Sequence, residues 1–281
     1  MSDQNLFKVT AEREANAIIN SAGYIEMYER SLADPVKFWE EEGKRIDWIK
    51  PYTKVKDVSY AEKDLHIKWF YDGTLNVSVN CLDRHLASKG DQTAIIWEGD
   101  NPDESKHISY AELHRQVCKL SNVYKKLGVK KGDRVVLYLP MVPEAAYAML
   151  ACARIGAVHS IVFAGFSPEA LASRIEDCGA SLLVTADEAP RGGRITPLKT
   201  NVDKALNICG DISTLVVERT HGDVPMKDNR DYSYTALMSD SSEECSPEPM
   251  NAEDPLFILY TSGSTGTVSY THLTLPTILL V

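Results

Sequence analysis

The chain reads Leu256-Phe-Ile-Leu-Tyr-Thr-Ser-Gly-Ser-Thr-Gly266 where an apolar run breaks directly into hydroxyls and glycines. Residues 256–260 show no polar alternation, which favours a strand covered on both faces, as in a parallel sheet. Gly263 and Gly266 permit positive φ, so the N–H groups of the turn can converge into an anion nest. The stretch therefore predicts a buried strand that leads into a phosphate-binding loop.

Other kinds of glycine-rich loop fit this stretch less well. A Walker A loop would need Gly-Lys-Ser/Thr at a fixed spacing, and a dinucleotide fingerprint would need G-x-G-x-x-G; neither pattern is present. A Ser/Thr/Gly surface linker has a similar composition, but a linker seldom follows a strand-like apolar run directly. The hydroxyl donors for phosphate oxygens would be Thr261, Ser262, Ser264 and Thr265.

Predicted strands and helices alternate from Asp133 onward. This alternation is typical of βαβ units, so we expect an α/β fold whose mainly parallel sheet is flanked by helices. Ligands then belong at the carboxyl ends of the strands. The predicted strands are residues 134–139, 157–163, 181–185 and 214–217, and the predicted helices are residues 143–155, 167–178 and 197–206.

A pair of arginines, Arg191-Gly-Gly-Arg194, follows one of these strand ends. Two guanidinium groups on a glycine-containing loop can bind a phosphate through paired hydrogen bonds. The alternative is a solvated turn in which the arginines pair with Asp187 and Glu188. The residues alone leave both interpretations open.

Three other segments give predictions about packing rather than chemistry. Trp39, Trp48 and Trp69 lie in an otherwise polar stretch, which predicts a segment that packs onto a larger body; the alternative is an aromatic ligand platform. Asp83 and His85 are too close in a helix to face each other as an acid–base couple, so we interpret His85 as structural. Residues 221–251 are polar and predict a surface excursion.

Composition narrows the class of protein. With 281 residues, 44% hydrophobic and 25% charged, the chain is typical of a folded protein with one large domain or two. A net charge of −10 disfavours a general nucleic-acid or anionic-membrane binder. We find no signal-peptide pattern and no apolar run near ~20 residues, and expect a cytoplasmic protein. The six cysteines form no C-x-x-C pair, so no zinc site is expected.

Several motifs together resemble a known family. The loop at Tyr260–Gly266 resembles the phosphate loop of the adenylate-forming enzymes, and the wider set is similar to the acetyl-CoA synthetase (acetate–CoA ligase) family from about residue 20 to Gly266. The resemblance implies the N-terminal part of the adenylate-forming fold. The motifs are residues 80–85, 94–99, 140–146, 149–160, 165–170 and 251–260.

The resemblance implies a two-step reaction. Acetate attacks the α-phosphate of ATP with Mg²⁺ to give acetyl-adenylate and pyrophosphate, and the CoA thiol then displaces AMP. Residue by residue, Arg191, Gly192, Gly193 and Arg194 match the segment that contacts the nucleotide end of CoA. No catalytic residue and no Mg²⁺ ligand of the family falls in this chain, and its protein partners stay open. The residues that match the ATP-phosphate loop are Thr261, Ser262, Gly263, Ser264, Thr265 and Gly266.

The sequence also departs from the family pattern. The family loop continues Lys-Pro-Lys-Gly, whereas this chain continues Thr267-Val-Ser269, and family members are more than twice as long. We therefore expect the chain to be inactive by itself. We expect residues 1–82 to form an N-terminal segment and residues 83–266 to form the first part of the AMP-binding domain. Residues 267–281 resemble a translated sequencing adapter, so we expect them to be a foreign tail. The alternatives are a propionate-preferring ligase and a non-catalytic nucleotide- or partner-binding module.

Overall fold

The computed structural model describes residues 8–260 and the backbone of a strand at residues 270–274. The chain divides into two compact units, one made of Met1–Ile46 and Val55–Ile67 and the other of Asp47–Lys54 and Lys68–Val281. Among the described helices, none is long and apolar enough to cross a membrane.

The smaller unit consists of helices followed by a β-hairpin. Its third helix begins at Pro35, because the Asp34 side chain accepts a hydrogen bond from the backbone N–H of Lys37 at 3.1 Å and proline suits the first turn. A 3₁₀ turn follows at Gly43–Arg45. The elements are α1 (Ala11–Asn16), α2 (Ser21–Ala33), α3 (Pro35–Glu42), β1 (Lys56–Ala61) and β2 (Asp64–Trp69).

The larger unit alternates strands and helices, as the sequence predicts. Its strands are β3 (Thr74–Leu75), β4 (Thr93–Glu98), β5 (Ser105–Ser109), β6 (Arg134–Tyr138), β7 (Val158–Ile161), β8 (Leu182–Ala186), β9 (Ala189–Arg191), β10 (Arg194–Thr196), β11 (Ser213–Val217), β12 (Asp231–Ser233), β13 (Met250–Asn251), β14 (Pro255–Tyr260) and β15 (Tyr270–Thr274). Its helices are α4 (Arg84–Lys89), α5 (Tyr110–Lys126), α6 (Pro143–Ile155), α7 (Pro168–Cys178), α8 (Leu198–Cys209) and α9 (Tyr234–Ser239), with a π-helical turn at Val79–Asp83.

The central sheet has the strand order β12-β11-β8-β6-β7-β14-β15. The six strands from β12 to β14 are parallel to their neighbours, and β15 runs antiparallel to β14. The prediction of a mainly parallel sheet in an α/β fold is therefore confirmed. Because parallel strands end at one edge, the carboxyl ends of β6, β7, β8 and β14 lie on the same side of the sheet.

Helices flank this sheet and supply its core. Helix α5 packs against α6, and α7 packs against α8. The start of α5 is capped, because Ser109 Oγ accepts a hydrogen bond from the backbone N–H of Glu112 at 3.2 Å. The apolar face of this helix is buried at Val117, Leu120 and Tyr124.

Two expectations about the fold are wrong in part. Residues 221–251 are not simply a surface excursion: they supply the edge strand β12 and helix α9, and Met238 is buried. The strand β14 is not covered on both faces, because Leu256 and Ile258 are buried while Leu259 is 44% exposed. The apolar run indicated a strand correctly but overstated how much of it is covered.

Candidate functional site

A cavity of about 550 Å³ lies where the central strands end. It is lined by residues 139–142 after β6, residues 161–165 at the end of β7, residues 189–191 of β9 and residues 97–100 at the end of β4. These segments include Pro140, Met141, Val142 and Gly165, which belong to motifs that the sequence singled out. The location agrees with the expectation that ligands bind at the carboxyl edge of a parallel sheet.

The Arg191–Arg194 segment forms a hairpin turn rather than an irregular loop. Arg191 pairs with Arg194 in the antiparallel register of β9 and β10, so Gly192 and Gly193 are the two turn residues. Their φ angles are 58° and 71°, the left-handed values that a two-residue hairpin turn needs. A Cβ atom built on either glycine would meet no atom within 4 Å. The backbone conformation, and not crowding, therefore favours glycine at both positions.

The two arginines of this turn differ in position. Arg191 lines the cavity, and its guanidinium carbon lies 5.3 Å from the centre of the Phe163 ring, a cation–π contact. Arg194 is exposed and does not line the cavity. Within residues 8–260, neither arginine has a carboxylate partner at ion-pair distance. Arg191 is thus a guanidinium held at a cavity wall with its hydrogen-bond donors open to an anion.

The carboxylates that a solvated turn would have used are engaged elsewhere. Asp187, which is 1% exposed, accepts backbone N–H bonds from Glu188 at 2.7 Å and Arg219 at 2.8 Å. Glu188 accepts a hydrogen bond from the Thr220 hydroxyl at 2.7 Å. The alternative interpretation, in which Asp187 and Glu188 neutralise the arginine pair, is therefore not the arrangement that the structure has.

Two further residues of this cavity, Trp97 and Arg219, had no site role assigned from the sequence. The guanidinium carbon of Arg219 lies 5.4 Å from the centre of the Trp97 ring, and Arg219 also pairs with Glu104. The Trp97 ring N–H donates a hydrogen bond to the backbone carbonyl of Met141 at 2.7 Å. Only the motif containing Trp97 was visible in the sequence, because Arg219 enters the cavity through a loop held by the distant Asp187.

A third missed residue, Asp100, contacts the glycine turn itself. Its Oδ1 accepts the N–H of Gly192 at 2.8 Å, and its Oδ2 accepts the N–H of Gly193 at 3.2 Å. These bonds hold the pKa of the Asp100 carboxyl below its usual value, the Gly192 N–H having the largest effect. No sequence signal connects two segments that are more than 90 positions apart.

The predicted phosphate loop, Thr261–Gly266, lies outside the described residues. The strand that leads to it ends at Tyr260, on the same edge of the sheet as the cavity. There the Tyr260 hydroxyl donates a hydrogen bond to Asp177 of α7 at 2.6 Å, and the guanidinium carbon of Arg174 lies 5.1 Å from the ring centre. The end of β14 is therefore anchored to α7.

Two strongly perturbed titratable groups, His114 and Asp83, pair with each other and do not line this cavity. His114 Nε2 lies 3.3 Å from Asp83 Oδ1, and this contact, with a smaller effect of Cys118, raises the pKa of His114 to about 9. Asp83 also forms an ion pair with Arg154, which is 3% exposed, at 2.9 Å. Burial alone would raise the pKa of Asp83, but the hydrogen bonds from His114 and Arg154 hold it low. As expected for His85, its ring packs on Tyr110.

The part of the chain that the structure describes contains no group of three His, Cys, Asp or Glu side chains arranged to hold a metal ion. The cavity itself is lined by the guanidinium groups of Arg191 and Arg219, by aromatic rings and by apolar side chains. Guanidinium groups beside apolar side chains can bind a phosphorylated ligand.

Comparison with protein families gives two matches along the chain. The AMP-binding enzyme family matches residues 82–272. The family described as acetyl-coenzyme A synthetase N-terminus matches residues 24–81. Together the two matches span most of the sequence.

Curated relatives agree with these matches. A protein named acetyl-coenzyme A synthetase from Methylocella silvestris is 58% identical over 268 residues, which cover 95% of this chain and 41% of that protein. One of the same name from Parvibaculum lavamentivorans is 59% identical over 267 residues, again 95% of this chain and 41% of the relative. The chain thus spans about two fifths of the length of the curated relatives it matches.

A solved structure shows the same fold. The acetoacetyl-CoA synthetase from Streptomyces lividans superimposes with a TM-score of 0.81 over 94% of this chain and 40% of that chain, at 24% sequence identity. This likeness supports the strand order and flanking helices described above. From the family match over residues 82–272, the chain belongs to the AMP-binding enzyme family.

Proposed function

We propose that this chain is the N-terminal part of an acetate–CoA ligase. The whole enzyme would join acetate to ATP, releasing pyrophosphate and leaving acetyl-adenylate, and would then transfer the acetyl group to the CoA thiol, releasing AMP. The observation that carries this proposal is the 55–60% identity of most of this chain to relatives named acetyl-CoA synthetase. The chain's own contribution would be to bind substrates rather than to supply a reacting group.

The Arg191–Arg194 turn is our candidate for the nucleotide end of CoA. That end carries several phosphate charges, and the open guanidinium of Arg191 at the cavity wall suits them. The Phe163 ring holds this guanidinium toward the cavity, so the cation is oriented before the ligand arrives. Arg194, paired across the same turn, would bind from outside the cavity.

The loop Thr261–Gly266 is our candidate for the ATP phosphates. Its support is the string of hydroxyls and glycines and the position of Tyr260, which ends β14 at the cavity edge. We expect Mg²⁺ to accompany ATP, where it would neutralise phosphate charge. Since no metal-binding cluster lies among the described residues, we assign it no ligand in this chain.

The remaining expectations also stay proposals. The substrates would be ATP, acetate and CoA, with no nucleic-acid or membrane partner, in the cytoplasm. The division into an N-terminal segment of residues 1–82, an AMP-binding part of residues 83–266 and a foreign tail of residues 267–281 is likewise a prediction. Sequencing the locus beyond the Gly266 codon tests the tail: a frame that continues Lys-Pro-Lys-Gly supports it, and codons for residues 267–281 before a stop contradict it.

A chimera tests the proposed activity. Residues 8–260 of this chain would replace the matching segment of the Methylocella silvestris relative, so that all other parts come from one protein. We expect this chimera to form acetyl-CoA from acetate, ATP and CoA, and the 281-residue chain alone to show no acetate-dependent ATP–pyrophosphate exchange. The matched control is the unmodified relative.

The outcomes separate the alternatives. A chimera that folds but forms no acyl-CoA from acetate or propionate would favour the non-catalytic binding module. Because the donor protein supplies the acyl pocket in this chimera, the choice between acetate and propionate needs the natural gene beyond Gly266. Acetate-dependent exchange by the 281-residue chain alone would contradict the view that it is only a substrate-binding part.

A further inference from the structure

The carboxylate of Asp100 binds the glycine turn between the two arginines. Each of its oxygens accepts one backbone N–H, from Gly192 at 2.8 Å and from Gly193 at 3.2 Å. Two successive N–H groups of residues with positive φ point to one side and form a small anion nest. In this protein the anion in that nest is a side chain of the chain itself.

The turn needs such an anchor. Strands β9 and β10 have three residues each and pair only with one another in the sheet to which they belong. A two-stranded hairpin of this kind is at best marginally stable alone. Asp100 follows β4 and therefore ties the turn to a separate hairpin, β4–β5, whose residues 97–100 line the same cavity.

The orientation of the arginines depends on the same turn. Arg191 and Arg194 immediately flank the two glycines, so a rotation of the turn would move both guanidinium groups. The contact of Arg191 with Phe163 fixes one end of its side chain, and the Asp100 bonds fix the backbone at the other end. Asp100 itself carries a negative charge and would repel a phosphate, so it suits an indirect role.

We propose that Asp100 is a positioning residue that holds the Arg191–Arg194 turn in the orientation that binds the phosphorylated nucleotide end of CoA. This inference rests on the proposed function, because that function supplies the ligand. Loss of the carboxylate should weaken CoA binding without altering the steps that involve ATP and acetate.

Two substitutions in the chimera test the role. Asp100→Ala removes both hydrogen bonds and should raise the KM for CoA about five- to tenfold, with the KM for ATP and kcat nearly unchanged. Asp100→Asn keeps one acceptor and should recover part of the loss. The matched control is Asp103→Ala, which removes the same charge from the same loop but no bond to the turn glycines.

Amide hydrogen exchange of residues 189–196 gives a readout that does not depend on CoA. Exchange at Gly192 and Gly193 should be faster in Asp100→Ala and unchanged in Asp103→Ala. Unchanged exchange in Asp100→Ala would overturn the positioning role. Faster exchange with an unchanged KM for CoA would also overturn the positioning role. The KM for CoA of the Arg191→Ala/Arg194→Ala variant then shows whether the proposed CoA site fails as well. If that variant raises the KM, only the inference fails; if it does not, the proposed CoA site fails as well.

Discussion

Two cations of this protein, Lys199 and Arg191, have opposite surroundings. In the buried cluster beside β12, Lys199 is 0% exposed and pairs with Asp203 at 2.7 Å and Asp231 at 2.9 Å. At the cavity, Arg191 is exposed and has no carboxylate partner within residues 8–260. Burying a charge without a partner lowers the stability of the fold, whereas an exposed guanidinium at a cavity wall stays hydrated and needs no protein partner. Lys199 is therefore a cation neutralised within the fold, whereas the guanidinium of Arg191 has no carboxylate partner among the described residues.

The largest expected effect comes from breaking the buried cluster. Lys199→Met removes the buried ammonium that Asp203 and Asp231 share, although both carboxylates keep Arg230 as a partner. The free energy of unfolding should fall by roughly 3 kcal/mol. Urea unfolding of the 281-residue chain measures this. Lys204→Met, on the exposed side of the same helix, is the control and should change stability by no more than about 0.5 kcal/mol. Equal losses in both variants would contradict a special role for the buried ammonium.

A smaller effect is expected at His114, which is intermediate in exposure. Its pKa in the folded chain is raised to about 9 by Asp83, above the unfolded value of about 6.5. Its contribution to stability is therefore fully present below about pH 6.5 and is lost as the pH rises through about 9. His114→Gln should lower stability at pH 6 by about 1–2 kcal/mol and much less at pH 10. A difference between the two proteins that is independent of pH would contradict this account.

The smallest effect on stability should come from replacing Arg191, which lines the cavity. Arg191→Ala removes a partly solvated cation–π contact with Phe163 and no ion pair, so the free energy of unfolding should change by about 0.5 kcal/mol or less. Urea unfolding under the same conditions measures it. A loss of stability as large as that of Lys199→Met would show that Arg191 stabilises the fold as Lys199 does, and would contradict the distinction between the two cations.

Local signals in the sequence were enough for most of the fold. Helix α6 was predicted at the residues that it occupies, because Pro143 starts it and Gly156, with a φ of 73°, ends it. The apolar runs that became β6, β8 and β11 were equally clear, since buried parallel strands need no alternation. In these elements each local preference agrees with the tertiary structure.

The parts of the fold and of the candidate site that the sequence did not predict depend on contacts between distant segments. Residues 221–251 look like a surface segment because they are polar, yet Arg230 is buried there by pairing with Asp231 at 2.7 Å and Asp211 at 3.2 Å. Of the candidate site, the arginine pair and its glycines were visible as a motif. Asp100 and Arg219 reach the site through loops, and a single sequence does not show which loops meet.

The central claim is that the Arg191–Arg194 turn binds CoA and takes no part in the adenylation step. The most direct measurement compares the two half-reactions in the chimera carrying Arg191→Ala and Arg194→Ala. We predict that acetate-dependent ATP–pyrophosphate exchange stays within about twofold of the unsubstituted chimera, while the KM for CoA in acetyl-CoA formation rises about ten- to a hundredfold. An unchanged KM for CoA, or an equal loss in exchange, would contradict the claim.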